Sequence, residues 1–359
     1  MLHAMIMAGG GGTRFWPRSR TARPKQFLAF GGDRTLLQAT LDRVQAQVPA
    51  ARTWVVTGAA HAVEAEAQLP DLPAGHVVGE PVGRDTAACV GLGAALIART
   101  DPDATIVVMP ADHVIEPAAE FQRAVHAAAL FAEDHPHALL TFGVPPTFPA
   151  TGYGYVHAGE VVGQRQGITA RRVRAFKEKP DAATAAAFVA AGEYLWNAGI
   201  FVWKAAAILS ELRRARPALA AAVDRIAAAW DTPARDAVFR AEYATIEKIS
   251  VDFAVLETAA EVLVVETPYQ WDDVGSWLAL ERRNPQDAAG NTVQALHSGI
   301  NTSNCVIAGD PGKLITTIGV SDLLIVQSGD CTLVAHRSDE AAVKQLVDQL
   351  KRDGLERFL

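Results

Sequence analysis

Met5-Ile6-Met7-Ala8-Gly9-Gly10-Gly11-Gly12-Thr13-Arg14 opens the chain with an apolar run that breaks into four consecutive glycines. Such a run reads as a buried strand. The glycines after it read as a loop whose backbone N–H groups approach a ligand closely, and a nest of such groups holds phosphate oxygens. Working outward, Trp54–Thr57, Ile106–Met109 and Leu139–Phe142 read as further buried strands. Between them Leu36–Val48, Ala60–Leu69, Thr86–Arg99 and Phe121–Phe131 carry helical periodicity. This alternation predicts an α/β fold, a mostly parallel sheet with helices on both faces. Such sheets bind ligands beyond the carboxyl ends of their strands. The glycine loop and Pro110-Ala111-Asp112-His113 both lie at such ends.

Charge sharpens the reading. The 359 residues carry a formal net charge of −7, which argues against a nucleic-acid binder. Met1–Gly32 nevertheless contains no acidic residue, and it holds Arg14, Arg18, Arg20, Arg23 and Lys25. A basic run usually marks a solvated face; beside four glycines a phosphate site is the better reading. Lys25 is expected to be exposed and to contribute little to folding.

From Tyr153 to Trp203 longer strands are predicted, then an Ala-rich helical stretch broken at Pro217 and Pro233. Beyond Asn291 Val, Ile, Thr and Gly dominate, which predicts several short strands and a closing amphipathic helix near Asp339–Arg352. Two domains are expected, 1–287 and 288–359. Cys89, Cys305 and Cys331 are too few and too scattered for a disulfide framework or zinc site. No apolar run approaches the length of a membrane span, and the start lacks a basic leader, so a cytoplasmic protein with no membrane partner is expected.

The glycine loop is a poor dinucleotide fingerprint, because Arg14 stands where the third glycine belongs, and no Gly-Lys-Ser/Thr makes it a P-loop. Read whole, Gly9–Leu28 (GGGGTRFWPRSRTARPKQFL) resembles the signature of sugar-1-phosphate nucleotidyltransferases, and its FWP and PKQF pieces are similar to those of mannose-1-phosphate guanylyltransferases. Further matches follow in order: GEPVGRDTA from Gly79, PADH from Pro110, TGYGYV from Thr151, FKEKP from Phe176, NAGIF from Asn197, ISVDFAVLE from Ile249 and WDDVGSW from Trp271. The resemblance implies a Rossmann-like domain followed by a small β-rich domain of the truncated left-handed β-helix type. It also implies GTP and mannose 1-phosphate as substrates, GDP-mannose as product, and a homodimer.

By the same resemblance, Gly9, Gly10, Gly11, Gly12, Thr13, Glu80, Arg84 and Thr86 bind the nucleotide. Arg14, Lys25 and Lys179 are the catalytic cations. Gly154, Glu178, Lys179 and Asn197 hold the sugar phosphate, and Asp112 and Asp273 share one Mg2+. Each has a plainer reading: Asp112 as a helix cap, Asp273 as a turn residue, Glu80 as an exposed acid before a proline. Asp272, beside Asp273, leaves open which of the pair binds the metal. Glu80 is similar in position to the base-reading glutamine of thymidylyltransferases. A carboxylate there only accepts hydrogen bonds, and guanine offers two adjacent donors, N1–H and the 2-amino group. Trp16, Trp196 and Trp203 are expected in the core and His113 in a structural role. The chain is too short for the appended isomerase domain of bifunctional relatives, so no isomerase activity is expected. Two alternatives stay open: another sugar 1-phosphate, such as a heptose or glucose phosphate, or a non-catalytic nucleotide-sugar-binding paralogue.

Overall fold

Strand β1 (Leu2–Ala8) is the third strand of a nine-stranded sheet, parallel to β2 (Thr53–Gly58) on one side and β4 (Thr105–Pro110) on the other. Because the chain crosses to different sides after β1, its carboxyl end is a topological switch point, where α/β sheets open a crevice. The glycine loop starts there. β3 (Val77–Glu80) extends the sheet beyond β2 and delivers Glu80 at its end. The computed structural model describes every residue except Gly31.

Past β4, strand β9 (Tyr194–Lys204) runs against its neighbours, between β4 and β6 (Leu139–Val144). β10 (Val262–Glu266) pairs in parallel with β6, and β8 (Ile168–Lys177) and β7 (Tyr155–Arg165) complete the order. Two three-residue strands, β5 (Val114–Glu116) and β11 (Gln270–Asp272), flank the loops that carry Asp112 and Asp273.

Helices α1 (Leu36–Val44), α2 (Ala62–Gln68), α3 (Asp85–Thr100) and α4 (Ala118–Asp134) stand where periodicity places them. α3 buries Ala87 through Ile97 continuously, because it lies between the sheet and helices α6 (Ala205–Ala215) and α7 (Pro217–Ala229). Its Val90, Leu92 and Leu96 share a core with Met5, Val56, Val108, Trp203, Ile208 and Val223. Pro217 begins α7, where its missing N–H costs nothing. α5 (Ala182–Ala191) is capped by Asp181, whose carboxylate accepts from the Thr184 N–H at 2.8 Å. α8 (Arg235–Thr245) follows Pro233.

The chain packs as two compact units that interleave in sequence. One comprises Met1–Gly9, Leu37–Ala111 and Ile115–Trp271; the other comprises Gly10–Leu36, Asp112–Val114 and Asp272–Leu359. In the second, β12 (Thr292–Gln294), β14 (Val306–Ala308) and β16 (Leu323–Ser328) stack in parallel, and β17 (Cys331–His336) turns back antiparallel. β13 (Leu296–Ser303) and β15 (Leu314–Ser321) form a second parallel face. Chain rungs that alternate between two parallel faces make a short β-helix. After α9 (Ala279–Arg283) and these rungs, α10 (Val343–Arg352) closes the unit with Val343 and Val347.

The core under α10 includes Phe15, Trp16, Val274, Trp277, Val306 and Val326. The Trp277 indole N–H donates to the Trp16 carbonyl at 3.1 Å, and the Trp16 indole N–H donates to the Phe358 carbonyl at 2.8 Å. Residues just after the glycine loop are therefore core residues of the β-rich unit. Trp16, Trp196 and Trp203 are all buried. All three cysteines are free, Cys89 and Cys305 in the interior. Among the described residues no helix is long and apolar enough to cross a membrane.

Candidate active site

The β-rich unit assembles three distant pieces of the signature. Lys25 follows Pro24 on a single 3-10 turn and is only 5% exposed. This corrects the expectation of a solvated lysine. Its Nζ donates to Asp112 Oδ2 at 2.9 Å and to the Asp273 backbone carbonyl at 2.6 Å. A buried ammonium is costly unless fully partnered, so Lys25 holds the two loops together. Its aliphatic stem lies against Gly12: a Cβ there would stand 2.5 Å from Lys25 Cβ. Gly12 also has φ +55°, so it is glycine for two reasons. Ser19 Oγ donates to the Gly12 carbonyl at 2.7 Å and fixes the loop from the other side.

Around this pairing lies a cavity of about 230 Å3, lined by Gly12, Thr13, Arg14, Lys25, Asp112 and Asp273, with His113 at its wall. Gly9, Gly10 and Gly11 are exposed on the same loop, and so is Arg14. Burial pushes the Asp112 carboxyl up, but the charges of Lys25 and of the His113 ring outweigh it and hold the group below its ordinary range. Asp112 is thus an anion under any ordinary condition.

Asp272 is committed elsewhere. Arg282 grips it with two bonds, Nε to Oδ2 at 2.7 Å and Nη2 to Oδ1 at 2.9 Å, and Oδ1 also accepts the Val274 N–H at 2.7 Å. A bidentate pair of this kind is a strong anchor. Asp273, by contrast, accepts the Gly275 N–H at Oδ1 and lines the cavity. Just after the pair, Val274 takes φ +45°, a conformation a β-branched residue adopts only when its surroundings impose it. Val274 is packed into the core with Phe15 and Trp277, and that packing imposes it.

Among the described residues no group of three or more His, Cys, Asp or Glu side chains is arranged to hold a metal. The donor set at the cavity is two carboxylates. Few hard-oxygen ligands, with room for phosphate oxygens, suit Mg2+ rather than a zinc or calcium cage. Asp112 and Asp273 fit that ion.

The large unit places two further groups of residues. At the first, Glu80 is buried and its Oε1 accepts a hydrogen bond from the Tyr243 hydroxyl of α8. Burial, with Asp85 nearby, pushes the Glu80 carboxyl up to about 7 against the Tyr243 hydrogen bond. Arg84 donates to the Ala244 carbonyl, and Thr86 Oγ1 accepts the Val251 N–H at 2.8 Å. The motif at Gly79–Ala87 is thereby stitched to residues 243–251. Tyr243 is not legible as a site residue in the sequence, since nothing in its helix marks it apart from core.

At the second, Gly154 admits Glu178: a Cβ on Gly154 would stand 2.4 Å from Glu178 Oε2. Glu178 Oε1 pairs with Lys179 Nζ at 2.8 Å, the glutamate nearly buried and the lysine open to solvent. Lys179 takes φ +45°. Asn197 spends its amide oxygen on the Thr141 hydroxyl and the Gly199 N–H, and donates from Nδ2 to Asp252 Oδ1 at 3.0 Å. Asp252 begins a π-helical turn, Asp252–Leu256. Burial, reinforced by Glu178, pushes its carboxyl up to about 7. The sequence does carry a signal for Asp252, an acid inside the apolar run Ile249–Leu256, which the motif reading passes over.

A glycine loop after the first strand of an α/β sheet, backed by a buried lysine and two carboxylates, is the arrangement of a protein that handles nucleotide phosphates. The chain belongs to the nucleotidyl transferase family, whose profile matches residues 3–290, and a profile described as a MannoseP isomerase/GMP-like beta-helix domain matches residues 296–350. It is 39% identical over 356 residues to the xanthan biosynthesis protein XanB of Xanthomonas campestris pv. campestris (strain B100), covering 98% of this chain and 73% of that one. It is 38% identical over 358 residues to the mannose-1-phosphate guanylyltransferase of Escherichia coli (strain K12), covering 98% and 74%. A crystal structure from Thermus thermophilus, described as a mannose-1-phosphate geranyltransferase, matches with TM-score 0.85 at 33% identity, covering 98% of this chain and 99% of that one.

The raised Glu80 carboxyl has a consequence for stability. Between its ordinary value of 4.5 and about 7 the native state holds a proton that the unfolded chain has released. Stability from this group is therefore full below 4.5 and is lost as pH rises through 7. Glu80→Gln removes that loss, so the variant's stability relative to wild type is expected to improve between about pH 5 and pH 8 in urea unfolding. Parallel curves at both pH values would contradict the assignment.

Proposed function

We propose that this chain transfers GMP from GTP to α-D-mannose 1-phosphate, releasing pyrophosphate and forming GDP-mannose. The observation that carries the reading is Lys25, which brings Asp112, Asp273, Arg14 and the glycine loop around one cavity. Relatives named for this reaction at 37–38% identity over nearly the whole chain support the choice of substrates.

A phosphate oxygen of mannose 1-phosphate attacks the α-phosphorus of GTP, and the bond from that phosphorus to the oxygen bridging to the β-phosphorus breaks. The nucleophile is already an anion, so no covalent intermediate and no general base is needed. Catalysis is then positioning and charge stabilisation. Gly9–Thr13 present backbone N–H groups to the triphosphate. Arg14 and Lys25 stabilise the departing pyrophosphate, and the exposed Lys179 aligns the incoming phosphate. Asp112 and Asp273 hold Mg2+, which when bound offsets negative charge at the reacting phosphates.

Glu178 accepts hydrogen bonds from sugar hydroxyls. Asn197 acts as a positioning residue, with Asp252 as the acid it orients. Glu80 reads guanine in its ionised form, with Tyr243 fixing one carboxylate oxygen. Arg84 and Thr86 serve the nucleotide by holding the segment that carries Tyr243.

For the homodimer, the surface of the β-rich unit supplies a candidate face. Register partners Leu296 and Leu314, and Ile300 and Ile318, all lie exposed on β13 and β15, from 59% to 73%. Two exposed apolar pairs on one face, with Ser298 and Thr316 between them, mark a candidate association surface.

Two tests follow from these assignments. Asp273→Ala keeps the backbone carbonyl that Lys25 needs, so the fold is expected to persist while pyrophosphate release from GTP and mannose 1-phosphate falls by about 100-fold or more. Near wild-type turnover at saturating Mg2+ would remove Asp273 from the site, and no release from wild type with any triphosphate and sugar 1-phosphate would sink the enzyme reading. The double variant Ile300→Lys/Ile318→Lys is expected to sediment as a monomer where wild type sediments as a dimer. A wild-type monomer, or an unaltered dimer in the variant, would show that this face is not the interface.

A further inference from the structure

Arg14 and Lys25 account for two of the five cations in Met1–Gly32. The other three, Arg18, Arg20 and Arg23, line a second cavity of about 650 Å3 within the β-rich unit. Arg20 is committed to the scaffold. Its Nε donates to the Pro17 carbonyl at 2.7 Å, Nη1 to the Phe358 carbonyl, and Nη2 to Asp330 Oδ1 at 3.0 Å. Arg18 makes one long bond, 3.4 Å to the Gly309 carbonyl, and lies over the Trp277 ring at 5.5 Å. Among the described residues the Arg23 guanidinium has no hydrogen bond and no ion pair, and it is exposed.

The one carboxylate on the wall does not neutralise this set. Asp310 accepts from Ser328 Oγ at 3.2 Å and from the Gly329 N–H at 2.6 Å, which locks it into a turn. Arg20 is paired with Asp330, so Arg18 and Arg23 face the one carboxylate of the wall in a protein of net charge −7. Guanidinium forks match phosphate oxygens in geometry and charge. The volume falls within the ~300–1,000 Å3 range of small-molecule sites. It exceeds what a phosphate group alone fills, and Leu28, Ala29 and Pro311 give the remainder an apolar wall.

We propose that this cavity is a second anion site, which binds a phosphorylated small molecule through a phosphate or diphosphate group and is separate from the cavity of Arg14 and Lys25. Arg18 and Arg23 supply the open donors, and Arg20 holds the wall in place. The backbone pair between Arg20 and Arg23, at 3.1 and 3.0 Å, keeps the two halves of the loop in register. The site does not depend on the substrate assignment above, because it is read by binding and not by turnover.

The test is calorimetric titration of the full chain with inorganic pyrophosphate at low salt, without metal, and in parallel with GDP-mannose. Wild type is expected to bind pyrophosphate at two sites per chain. Arg23→Glu, an exposed reversal that leaves thermal unfolding unchanged, is expected to weaken one of them at least tenfold; Arg18→Ala/Arg23→Ala is expected to abolish it. If GDP-mannose displaces pyrophosphate from the site lost in these variants, a nucleotide sugar is the source of the diphosphate. If only the inorganic anion binds there, free phosphates are. A wild-type titration with no site that these variants lose, or titrations of the folded variants identical to wild type up to about 5 mM, would overturn the proposal.

Discussion

The buried ammonium of Lys25 is the constraint on which the placing of the glycine loop, Asp112 and Asp273 depends. An ammonium with so little exposure needs strong acceptors, and it finds two, on loops that follow strands far apart in the sequence: the Asp112 carboxylate and the Asp273 carbonyl. Satisfying one lysine therefore fixes where both carboxylates stand. The absence of a side chain at Gly12 lets the lysine lie there, and Phe15, Trp16 and Trp277 anchor the same loop in the core of the β-rich unit. That unit is part of the site's construction, since Gly10–Gly12, Asp112 and Asp273 all pack within it.

Much of this was legible in the residues. The apolar strands, the Ala-rich helices and the β-rich tail follow from periodicity and turn chemistry, and the structure carries them at nearly the same positions. What was not legible depends on pairings between distant residues. Lys25 in a basic, polar loop reads as solvated, and only its partners show it to be interior. Asp272 and Asp273 are alike in sequence, and Arg282 separates them by claiming the first. Tyr243 lies in a stretch that reads as ordinary helix, and Asp252 lies inside a motif that does not single it out. Their roles come from Glu80 and Asn197, which the sequence places far away. The run of five cations read as one feature, whereas the structure divides it between two cavities.

Three of the seven non-glycine residues with left-handed backbone among the described residues, and both carboxyls raised to about 7, fall within the motifs. Asp85, Lys179 and Val274 all take left-handed backbone conformations, and each sits inside a motif that carries candidate site residues. Such conformations cost about 1–3 kcal/mol each and persist where the surroundings impose them. Glu80 and Asp252 are the two carboxyls pushed up to about 7, both by burial. Carboxyls poised near neutrality change charge when a ligand adds or removes a hydrogen bond.

The central claim, that Lys25 and Asp112 form one structural and electrostatic unit, is tested most directly by a double-mutant cycle on folding. Unfolding free energies of wild type, Lys25→Met, Asp112→Asn and the double variant are measured in urea without substrate or metal. Each single variant is expected to lose about 2 kcal/mol or more, with a coupling energy of about 1–3 kcal/mol between the two positions. Additive losses, with coupling within about 0.3 kcal/mol of zero, would show that the two residues act independently and that Lys25 does not hold the site together.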